Sequence, residues 1–288
     1  MPELPEVETM RRAILPAVGR TIVNVVVPRS RLRPIILQPC AAELRCRLVG
    51  RTICAISRCG KRVVLELDDS KRLVFEPRMT GLVLPNHPPQ QAHARLAIHL
   101  TPPATNVGVE HSAGTVRSIC YWDQRGLGTI RLLSPNDFQR LCGPARIGPD
   151  ALEISAHQLQ QRLGRSRRQV KVALMDQKAV AGIGNIYASE ILHRAGVHPA
   201  TPCCRLGKDR WHAIVGAMRK VLREAIRCGG STLRDGTYRL SGQREGGFQN
   251  RHRVYDREGK LCLRCRRAGI VRFVQAQRST YFCPNCQK

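Results

Sequence analysis

Four cysteines close to the C-terminus constrain the fold of this 288-residue chain more than any other feature. They form two Cys-x-x-Cys pairs with 17 residues between them: Cys262, Cys265, Cys283 and Cys286. Structural zinc takes four thiolate or imidazole ligands in a tetrahedron, and two pairs at this spacing supply them. A module of about 35 residues has too small a core to fold alone, so we expect one structural Zn²⁺ to hold it. A disulfide pair or unrelated thiols are the alternative interpretations.

The stretch between the two cysteine pairs predicts a β-hairpin. Residues 270–274 and 280–282 have the composition of strands, and residues 275–279 are the predicted turn. That turn would present Arg278 at the tip of a rigid hairpin, where a guanidinium suits a phosphate contact or insertion into a DNA groove. A solvated surface arginine is the alternative.

The net charge limits the class of partner. Lysine and arginine number 48 against 21 acidic residues, which gives +27, and the excess is spread along the whole chain. Such a body predicts a polyanion as partner, and nucleic acid is favoured over an anionic membrane surface because only 4% of the residues are aromatic. No window approaches the ~18 apolar residues of a membrane span. The N-terminus also lacks the pattern of a secretory signal, so we expect a cytoplasmic protein.

The first eight residues, Met-Pro-Glu-Leu-Pro-Glu-Val-Glu, have the groups for covalent chemistry. If Met1 is removed, Pro2 becomes a secondary amine, a nucleophile that can attack a sugar C1′ and form an iminium ion. Glu3 and Glu6 add two carboxylates for proton transfer. The alternative is an ordinary helix start, because proline and acidic residues are common in a first helical turn.

The order of predicted elements indicates an α+β protein with several domains. A helix over residues 5–18, with Val7, Met10, Ile14 and Val18 on its apolar face, precedes many short strands, which predict a β-sandwich or barrel-like domain. Two of these strands, 63–67 and 72–75, are separated by a predicted hairpin turn. The domain limits that we expect are 1–134, a linker without periodicity at 135–149, a helical domain at 150–250, and a zinc module at 251–288.

The helical domain has its own internal pattern. Its last part, residues 229–250, is rich in glycine and arginine and predicts a mobile segment that touches the polyanion. The predicted helices cover residues 155–163, 170–175, 186–195 and 211–227, and the last of them is the clearest.

Residues 182–190, Gly-Ile-Gly-Asn-Ile-Tyr-Ala-Ser-Glu, predict a turn that opens a helix. The backbone amides of such a turn, together with the side chain of Asn185, can bind a phosphate. A plain turn between helices, capped by Asn185, is an equally good interpretation. Three further candidates, Lys61, Met79 and Arg125, lie at or near predicted turns of the strand-rich region. Met79 could wedge into a base stack, or it could fold back onto the core.

Taken together, three segments resemble the formamidopyrimidine-DNA glycosylase family, and the match extends over nearly the whole chain. They are residues 2–8, residues 182–190 and the Gln-Arg-Ser-Thr-Tyr-Phe-Cys-Pro-Asn-Cys of residues 277–286, in the family's order. The resemblance implies an N-terminal β-sandwich with a helix, then a helix–two-turn–helix domain, then a zinc finger with a β-hairpin. It also implies a base-excision-repair enzyme that removes oxidised purines (8-oxoguanine and formamidopyrimidines) from double-stranded DNA. A monomer is the default expectation for its oligomeric state. Cleavage at the resulting abasic site would follow by β,δ-elimination.

The resemblance also implies roles for individual residues. Pro2 would be the nucleophile and Glu3 the general acid and base, with Glu6 supporting the site. The segment 229–250 would cover the flipped base. Lys61, Asn185 and Arg278 would hold phosphates around the flipped nucleotide, and Met79 and Arg125 would fill the gap in the duplex. His93, Leu127 and Tyr187 complete the candidates for DNA contact.

This chain departs from the family pattern at several positions near the predicted wedge. Leu127 stands where phenylalanine is usual, and Gly126 stands where an arginine is common. The segment Glu-Pro-Arg at 76–78 replaces a typical His-Leu-Gly, and the loop 101–115 is longer than usual. These departures leave lesion preference and opposite-base discrimination open. An enzyme of the related endonuclease VIII branch that prefers oxidised pyrimidines, and a non-catalytic zinc-finger nucleic-acid-binding protein, are the alternative functions.

Overall fold

The computed structural model describes residues 1–29, 32–102, 115–232, 238 and 245–288. The chain forms two compact units. The first unit contains Met1–Pro2, Glu6–Leu141 and Ser231–Gly246, and the second contains Glu3–Pro5, Cys142–Gly230 and Gly247–Lys288. Most of the predicted long loop 101–115, and residues 233–237 and 239–244 of the predicted mobile segment, lie outside the described residues.

Two β-sheets form the body of the first unit. A four-stranded sheet has the order β1-β7-β8-β6, and a five-stranded sheet has the order β2-β9-β5-β4-β3. Neighbouring strands are antiparallel except for the parallel pair β2 and β9. The strands are β1 (Ile22–Val26), β2 (Ile36–Gln38), β3 (Ile53–Cys59), β4 (Arg62–Leu67), β5 (Arg72–Glu76), β6 (Gly81–Pro85), β7 (Ala94–Leu100), β8 (Ser118–Asp123) and β9 (Thr129–Leu133).

One hydrophobic core joins the two sheets, as in a β-sandwich. Both sheets contribute fully buried side chains to it, for example Leu65 and Phe75 from one sheet and Leu96 and Ile119 from the other. The predicted hairpin is confirmed, because β4 and β5 pair antiparallel with Val63 opposite Phe75.

Helix α1 (Leu4–Ile14) places Val7, Met10 and Ile14 in this core, as their spacing predicts. It is shorter than predicted, since a 3-10 turn over Leu15–Ala17 follows it. Val18 is exposed and was wrongly assigned to the apolar face. The chain then turns at Gly19, whose φ of +81° is a conformation that glycine adopts without strain.

Two short helices of the first part of the chain are absent from the sequence prediction. Helix α2 (Ala41–Leu48) buries Leu44 and Leu48. Helix α3 (Pro135–Cys142) begins inside the stretch that was predicted to lack periodicity, so that prediction was wrong there. Its start is fixed locally, because the Ser134 hydroxyl accepts a hydrogen bond from the backbone N–H of Asp137 at 3.2 Å.

The second unit contains four helices within the described residues: α4 (Ala156–Leu163), α5 (Val170–Leu174), α6 (Asn185–Ala195) and α7 (Lys208–Arg227). Each agrees with a predicted helix to within a few residues. Helix α4 begins with a capping box in which Ser155 and Gln158 satisfy each other's backbone N–H groups. Helix α7 is amphipathic, and its predicted apolar face is buried throughout: Trp211, Ile214, Val215, Met218, Val221, Leu222 and Ile226.

A two-stranded hairpin of β10 (Val271–Gln275) and β11 (Arg278–Phe282) completes the second unit. The turn is shorter than predicted, since only Ala276 and Gln277 lie between the strands and both have positive φ. Arg278 is therefore the first residue of β11, opposite Gln275, and does not form the tip. The α+β fold class is confirmed. No helix of the described ranges is long and apolar enough to cross a membrane.

Candidate active site

The carboxylate of Glu3, near the start of the chain, is held by backbone N–H groups of the second unit. It accepts hydrogen bonds from the backbone N–H groups of Gly184 at 2.6 Å, Ile186 at 2.9 Å and Tyr187 at 3.4 Å. These groups lie at the N-terminal end of α6, where unpaired N–H groups and the helix dipole favour a negative charge. The sequence left phosphate binding by these amides as one of two equally good interpretations. In this structure they bind the chain's own carboxylate.

Two glycines make this contact possible. A side chain at residue 184 would place its Cβ 2.3 Å from Glu3 Cδ, and one at residue 182 would lie 2.5 Å from Leu4 Cδ1. Gly182 also has a φ of +103°. The backbone N–H of Leu4 donates to the carbonyl of Gly182 at 2.9 Å. The start of α1 is thus fixed directly after Pro2.

Asn185 is the first residue of α6 and does not cap it, so the interpretation as a cap was wrong; Gly184 holds the cap position. The Nδ2 of Asn185 donates to the carbonyl of Ser279 at 3.0 Å, and the Oδ1 of Asn185 accepts from Lys171 Nζ at 2.6 Å. Tyr255 forms a further side-chain hydrogen bond with Asn185. This amide therefore orients the first residues of β11, among which is Arg278.

Lys171 was missed by the sequence analysis. Its side chain in α5 is only 1% exposed, and its Nζ also donates to Thr280 Oγ1 at 2.8 Å and to the Ser279 carbonyl at 3.2 Å. The pKa of Lys171 is lowered to about 8, mainly by burial. The negative charge of Glu3 opposes this shift, and the positive charge of Arg278 adds to it. The sequence does contain a signal for Lys171, which lies inside the apolar run Val-Lys-Val-Ala-Leu. A lysine buried in such a run needs polar partners for its ammonium group.

The second unit thus brings Glu3, Asn185 and Lys171 together with the start of β11. Arg278 itself is exposed. A second missed residue, Glu190, is fully buried in α6 and accepts backbone hydrogen bonds from Arg253, Val254 and Tyr255 at 2.8 to 3.1 Å. Burial raises the pKa of Glu190, and those N–H groups oppose the shift. Glu190 therefore holds the backbone that carries Tyr255.

In the first unit a buried carboxylate joins the two turns that carry the predicted wedge residues. Asp123 Oδ1 accepts from Thr80 Oγ1 at 2.5 Å and from the N–H of Arg125 at 3.2 Å, and its Oδ2 accepts from the N–H of Gly128 at 2.8 Å. The Thr80 hydroxyl also accepts from the N–H of Arg125 at 3.0 Å. The side chains of Met79, which is 39% exposed, and of Arg125 are both at the surface. The sequence did not single out Asp123.

Pro2 is buried in this structure, in which Met1 precedes it. Lys61 is partly exposed in the two-residue turn between β3 and β4. Glu6 is buried and accepts from the backbone N–H of Ser231 at 2.8 Å. Through this bond it fixes the beginning of the glycine-rich segment.

The four cysteines of the second unit form the expected metal site. Their sulfur atoms all lie within 4.8 Å of one another, with Cys262 and Cys286 at 3.8 Å and Cys265 and Cys283 at 3.6 Å. A Zn–S distance of ~2.3 Å in a tetrahedron gives S–S edges of about 3.8 Å, so this soft donor set fits zinc. The backbone N–H of Arg264 donates to Cys262 Sγ at 3.4 Å, which is an outer-shell contact that suits a thiolate ligand.

Comparison with known proteins agrees with this geometry. The model of the formamidopyrimidine-DNA glycosylase N-terminal domain matches residues 1–130, that of the formamidopyrimidine-DNA glycosylase H2TH domain matches 147–237, and that of the zinc finger found in FPG and IleRS matches 259–288. The chain belongs to the formamidopyrimidine-DNA glycosylase family. The helix–two-turn–helix domain and the single structural zinc, both implied by the resemblance, are thereby confirmed.

Relatives of the formamidopyrimidine-DNA glycosylase family match from end to end. The formamidopyrimidine-DNA glycosylase of Chloroflexus aurantiacus is 38% identical over 100% of this chain and 98% of the relative. That of Dinoroseobacter shibae is 35% identical over the whole of both chains. Among solved structures, MutM (FPG) from Thermus thermophilus has 35% identity and a TM-score of 0.81, covering 99% of this chain and 98% of that one. A mutant of the Lactococcus lactis FPG in complex with Fapy-dG containing DNA has 31% identity and a TM-score of 0.82 over the whole of both chains.

One departure from the formamidopyrimidine-DNA glycosylase pattern has a structural reason. Gly126 has a φ of +62°, and a Cβ there would lie 2.3 Å from the carbonyl oxygen of Arg33. An arginine cannot occupy this position unless the backbone moves. Leu127, next to it, is partly buried.

Two of the candidate DNA contacts are packing residues in this structure. Tyr187 is fully buried with its ring centroid 5.7 Å from that of Phe248, so its ring has no surface to offer DNA. The backbone N–H of Tyr187 donates a hydrogen bond to the Glu3 carboxylate. His93 lies in a 3-10 turn with its ring edge against Trp122 at 5.5 Å.

Gly184→Ala tests the contact between Glu3 and α6. Because the new Cβ must displace the Glu3 carboxylate, we expect single-turnover glycosylase activity to fall about 100-fold, the usual cost of misplacing a catalytic group by about 1 Å. Gly216→Ala is the matched control, since nothing lies within 4 Å of a Cβ at that position of α7. Equal activity of the two variants would contradict the assigned importance of this contact.

Removal of zinc tests the four-cysteine site. We expect one zinc per chain by elemental analysis, and we expect a strong chelator to release it and to unfold residues 254–288, as followed by hydrogen exchange. Cys265→Ser should lower the zinc content, whereas Cys204→Ser, an exposed cysteine elsewhere in the second unit, should not. Metal-free protein with an ordered C-terminal module would contradict the assignment.

Proposed function

We propose that this chain attacks C1′ of a damaged nucleotide with the amine of Pro2 and uses Glu3 for proton transfer. The observation that carries the proposal is the Glu3 carboxylate, held by three backbone N–H groups in the residue that directly follows Pro2. As a member of its family, the chain is a base-excision-repair DNA glycosylase that acts on oxidised purines and cleaves abasic sites. The Lactococcus lactis enzyme has been solved with Fapy-dG containing DNA and with abasic-site DNA, which supports the same two substrates here.

The chemistry begins with removal of Met1, because Pro2 is an amide while Met1 is attached. The free ring nitrogen of Pro2 attacks C1′, and the electrons of the glycosidic bond leave with the base, which takes up a proton. The ring nitrogen then loses its proton, and its lone pair opens the sugar ring by breaking the C1′–O4′ bond, with O4′ taking up a proton. The iminium ion formed in this way acidifies the C2′ proton, so a base can remove it while the 3′ phosphate leaves. A second elimination releases the 5′ phosphate. A carboxylate fixed next to the nitrogen serves these proton transfers at low reorganisation cost.

The remaining assignments concern the DNA backbone and the gap in the base stack. Lys61, Asn185 and Arg278 bind phosphates around the flipped nucleotide, and Met79, Arg125 and Leu127 occupy the space that it leaves. Flipping costs a few kcal/mol, which many phosphate contacts of a +27 protein can offset. Residues 229–250 cover the flipped base, and the bond from Ser231 to Glu6 supports a fixed start for that cover.

The domain limits and the cellular location complete the proposal. We assign residues 1–134 to the catalytic sandwich, 135–149 to a connecting segment, 150–250 to the helical domain and 251–288 to the zinc finger. A basic repair enzyme of this kind acts in the cytoplasm on the nucleoid.

Reduction with borohydride tests the proposed nucleophile. We expect a covalent complex with duplex DNA containing 8-oxoguanine or an abasic site, from protein whose Met1 has been removed according to its intact mass. The matched control is the same chain with an N-terminal extension that keeps Pro2 as an amide, and it should bind DNA without becoming trapped.

Three outcomes distinguish the possible functions. Trapping on oxidised pyrimidines in preference to 8-oxoguanine would indicate the endonuclease VIII type of specificity. Binding without trapping on any lesion, by protein with a free Pro2, would indicate a DNA-binding protein without catalysis. Undiminished trapping by Pro2→Gly, or by the extended chain, would contradict Pro2 as the nucleophile.

A further inference from the structure

Glu8, the last acidic residue of the N-terminal motif, is the centre of an arginine cluster in the first unit. Arg11 donates to both oxygens of its carboxylate, at 2.8 and 2.9 Å, and Arg12 Nε donates to Oε1 at 2.8 Å. Arg58 Nε, on β3, donates to Oε2 at 3.4 Å. Burial would raise the pKa of Glu8, but the hydrogen bonds of Arg11 and Arg12 and the charges of Arg11 and Arg58 lower it to about 2. The carboxylate is therefore ionised at any physiological pH.

Arg58 continues this cluster into the turn that carries Lys61. While its Nε donates to Glu8, its NH1 donates to the carbonyl of Gly60 at 2.9 Å. Gly60 has a φ of +57° and is the first residue of the two-residue turn between β3 and β4. The Arg58 side chain is only 9% exposed, so it is not available to contact a phosphate itself.

The other end of the same turn is also fixed by an ion pair. Arg62, directly after Lys61, donates from Nε to Glu76 Oε2 at 3.2 Å. Glu76 is paired in addition with Arg78 at 3.0 Å and with Arg131 at 3.7 Å. The backbone on both sides of Lys61 is thus held by two arginines, Arg58 and Arg62, whose side chains are themselves mostly buried.

We propose that Glu8 and Arg58 are positioning residues that orient Lys61 for its phosphate contact. The inference rests on the proposed role of Lys61 in binding a phosphate. Helix α1 begins two residues after Pro2, and the same helix carries Glu8. The series Glu8–Arg58–Gly60 therefore connects the helix that follows the nucleophile to the turn that bears Lys61. A lysine has a long flexible stem, and a fixed backbone on either side restricts where its ammonium group can lie.

The salt dependence of DNA binding separates this role from a purely structural one. Lys61→Ala should lower the slope of log Kd against log salt by ~0.9, the contribution of one phosphate contact. Arg58→Met leaves Lys61 in place, yet it should lower the slope by at least half as much and weaken binding to an abasic-site duplex about fivefold. In the Lys61→Ala background, Arg58→Met should have no further effect on slope or affinity, because its action passes through Lys61.

Two control variants complete the experiment. Arg12→Met removes a guanidinium from the same Glu8 oxygen that Arg11 binds and leaves the bond from Arg58 to Gly60 in place, so its slope should equal that of the unmodified enzyme. Arg58→Lys keeps a positive charge beside Glu8 but lacks the rigid planar fork whose Nε and NH1 bind Glu8 and Gly60 separately, so its slope should fall like that of Arg58→Met. Circular dichroism and the thermal midpoint of each variant establish that the protein is folded.

The outcomes have distinct meanings. A normal slope for Lys61→Ala would remove the phosphate contact from the proposed function and with it the basis of this inference. A reduced slope for Lys61→Ala beside an unchanged slope for Arg58→Met would overturn the inference alone. Equal losses for Arg12→Met and Arg58→Met would also overturn it, because they would indicate a general loss of stability. Additive losses in the double variant would overturn it as well, because they would indicate a direct contact by Arg58.

Discussion

The structure depends on the contact between the Glu3 carboxylate and the amides at the start of α6. A carboxylate cannot approach backbone this closely beside an ordinary side chain, so Gly184 has to be glycine, and Gly182 has to leave room for Leu4. The contact fixes the residue next to Pro2 in an N-terminal segment that would otherwise be expected to move. It also consumes the N–H groups of a helix start that could have bound a phosphate. A phosphate must then be bound by side chains, and Asn185 and Arg278 are the groups proposed for it in this unit.

Buried carboxylates organise the arginine-rich chain at several other places. Glu8 gathers Arg11, Arg12 and Arg58, and Asp123 joins the turns of Met79 and Arg125. Glu190 holds the backbone of residues 253–255 in the same way. In each case a few acidic groups inside the protein fix loops, and the excess of positive charge remains for the polyanion. Acidic residues are few, and these buried ones bind arginines or backbone inside the protein, so the net charge of +27 is left to attract a polyanion.

Elements whose determinants are local could be predicted from the sequence. The apolar face of α7, the hairpin of β4 and β5, and the four zinc ligands each follow from spacing within a short stretch of chain. The residues that the sequence did not identify act over long separations. Lys171 is paired with Thr280, and Asp123 with Thr80, through contacts that no periodicity reveals. Asn185 was open between cap and phosphate ligand because both uses need the same residue type at a helix start. The structure excludes the cap, since Gly184 holds that position and the Asn185 side chain binds Ser279 of β11.

The identity of the nucleophile is the claim on which the account depends, and the structure contains a second amine that could compete for it. Lys171 is buried near Glu3 with a pKa of about 8, so a fraction of its amine is neutral at physiological pH. Mass spectrometry of peptides from the borohydride-reduced complex locates the sugar remnant on one residue. We predict that the remnant lies on the nitrogen of Pro2 at the processed N-terminus. A remnant on Lys171 or on any other lysine would contradict Pro2 as the nucleophile.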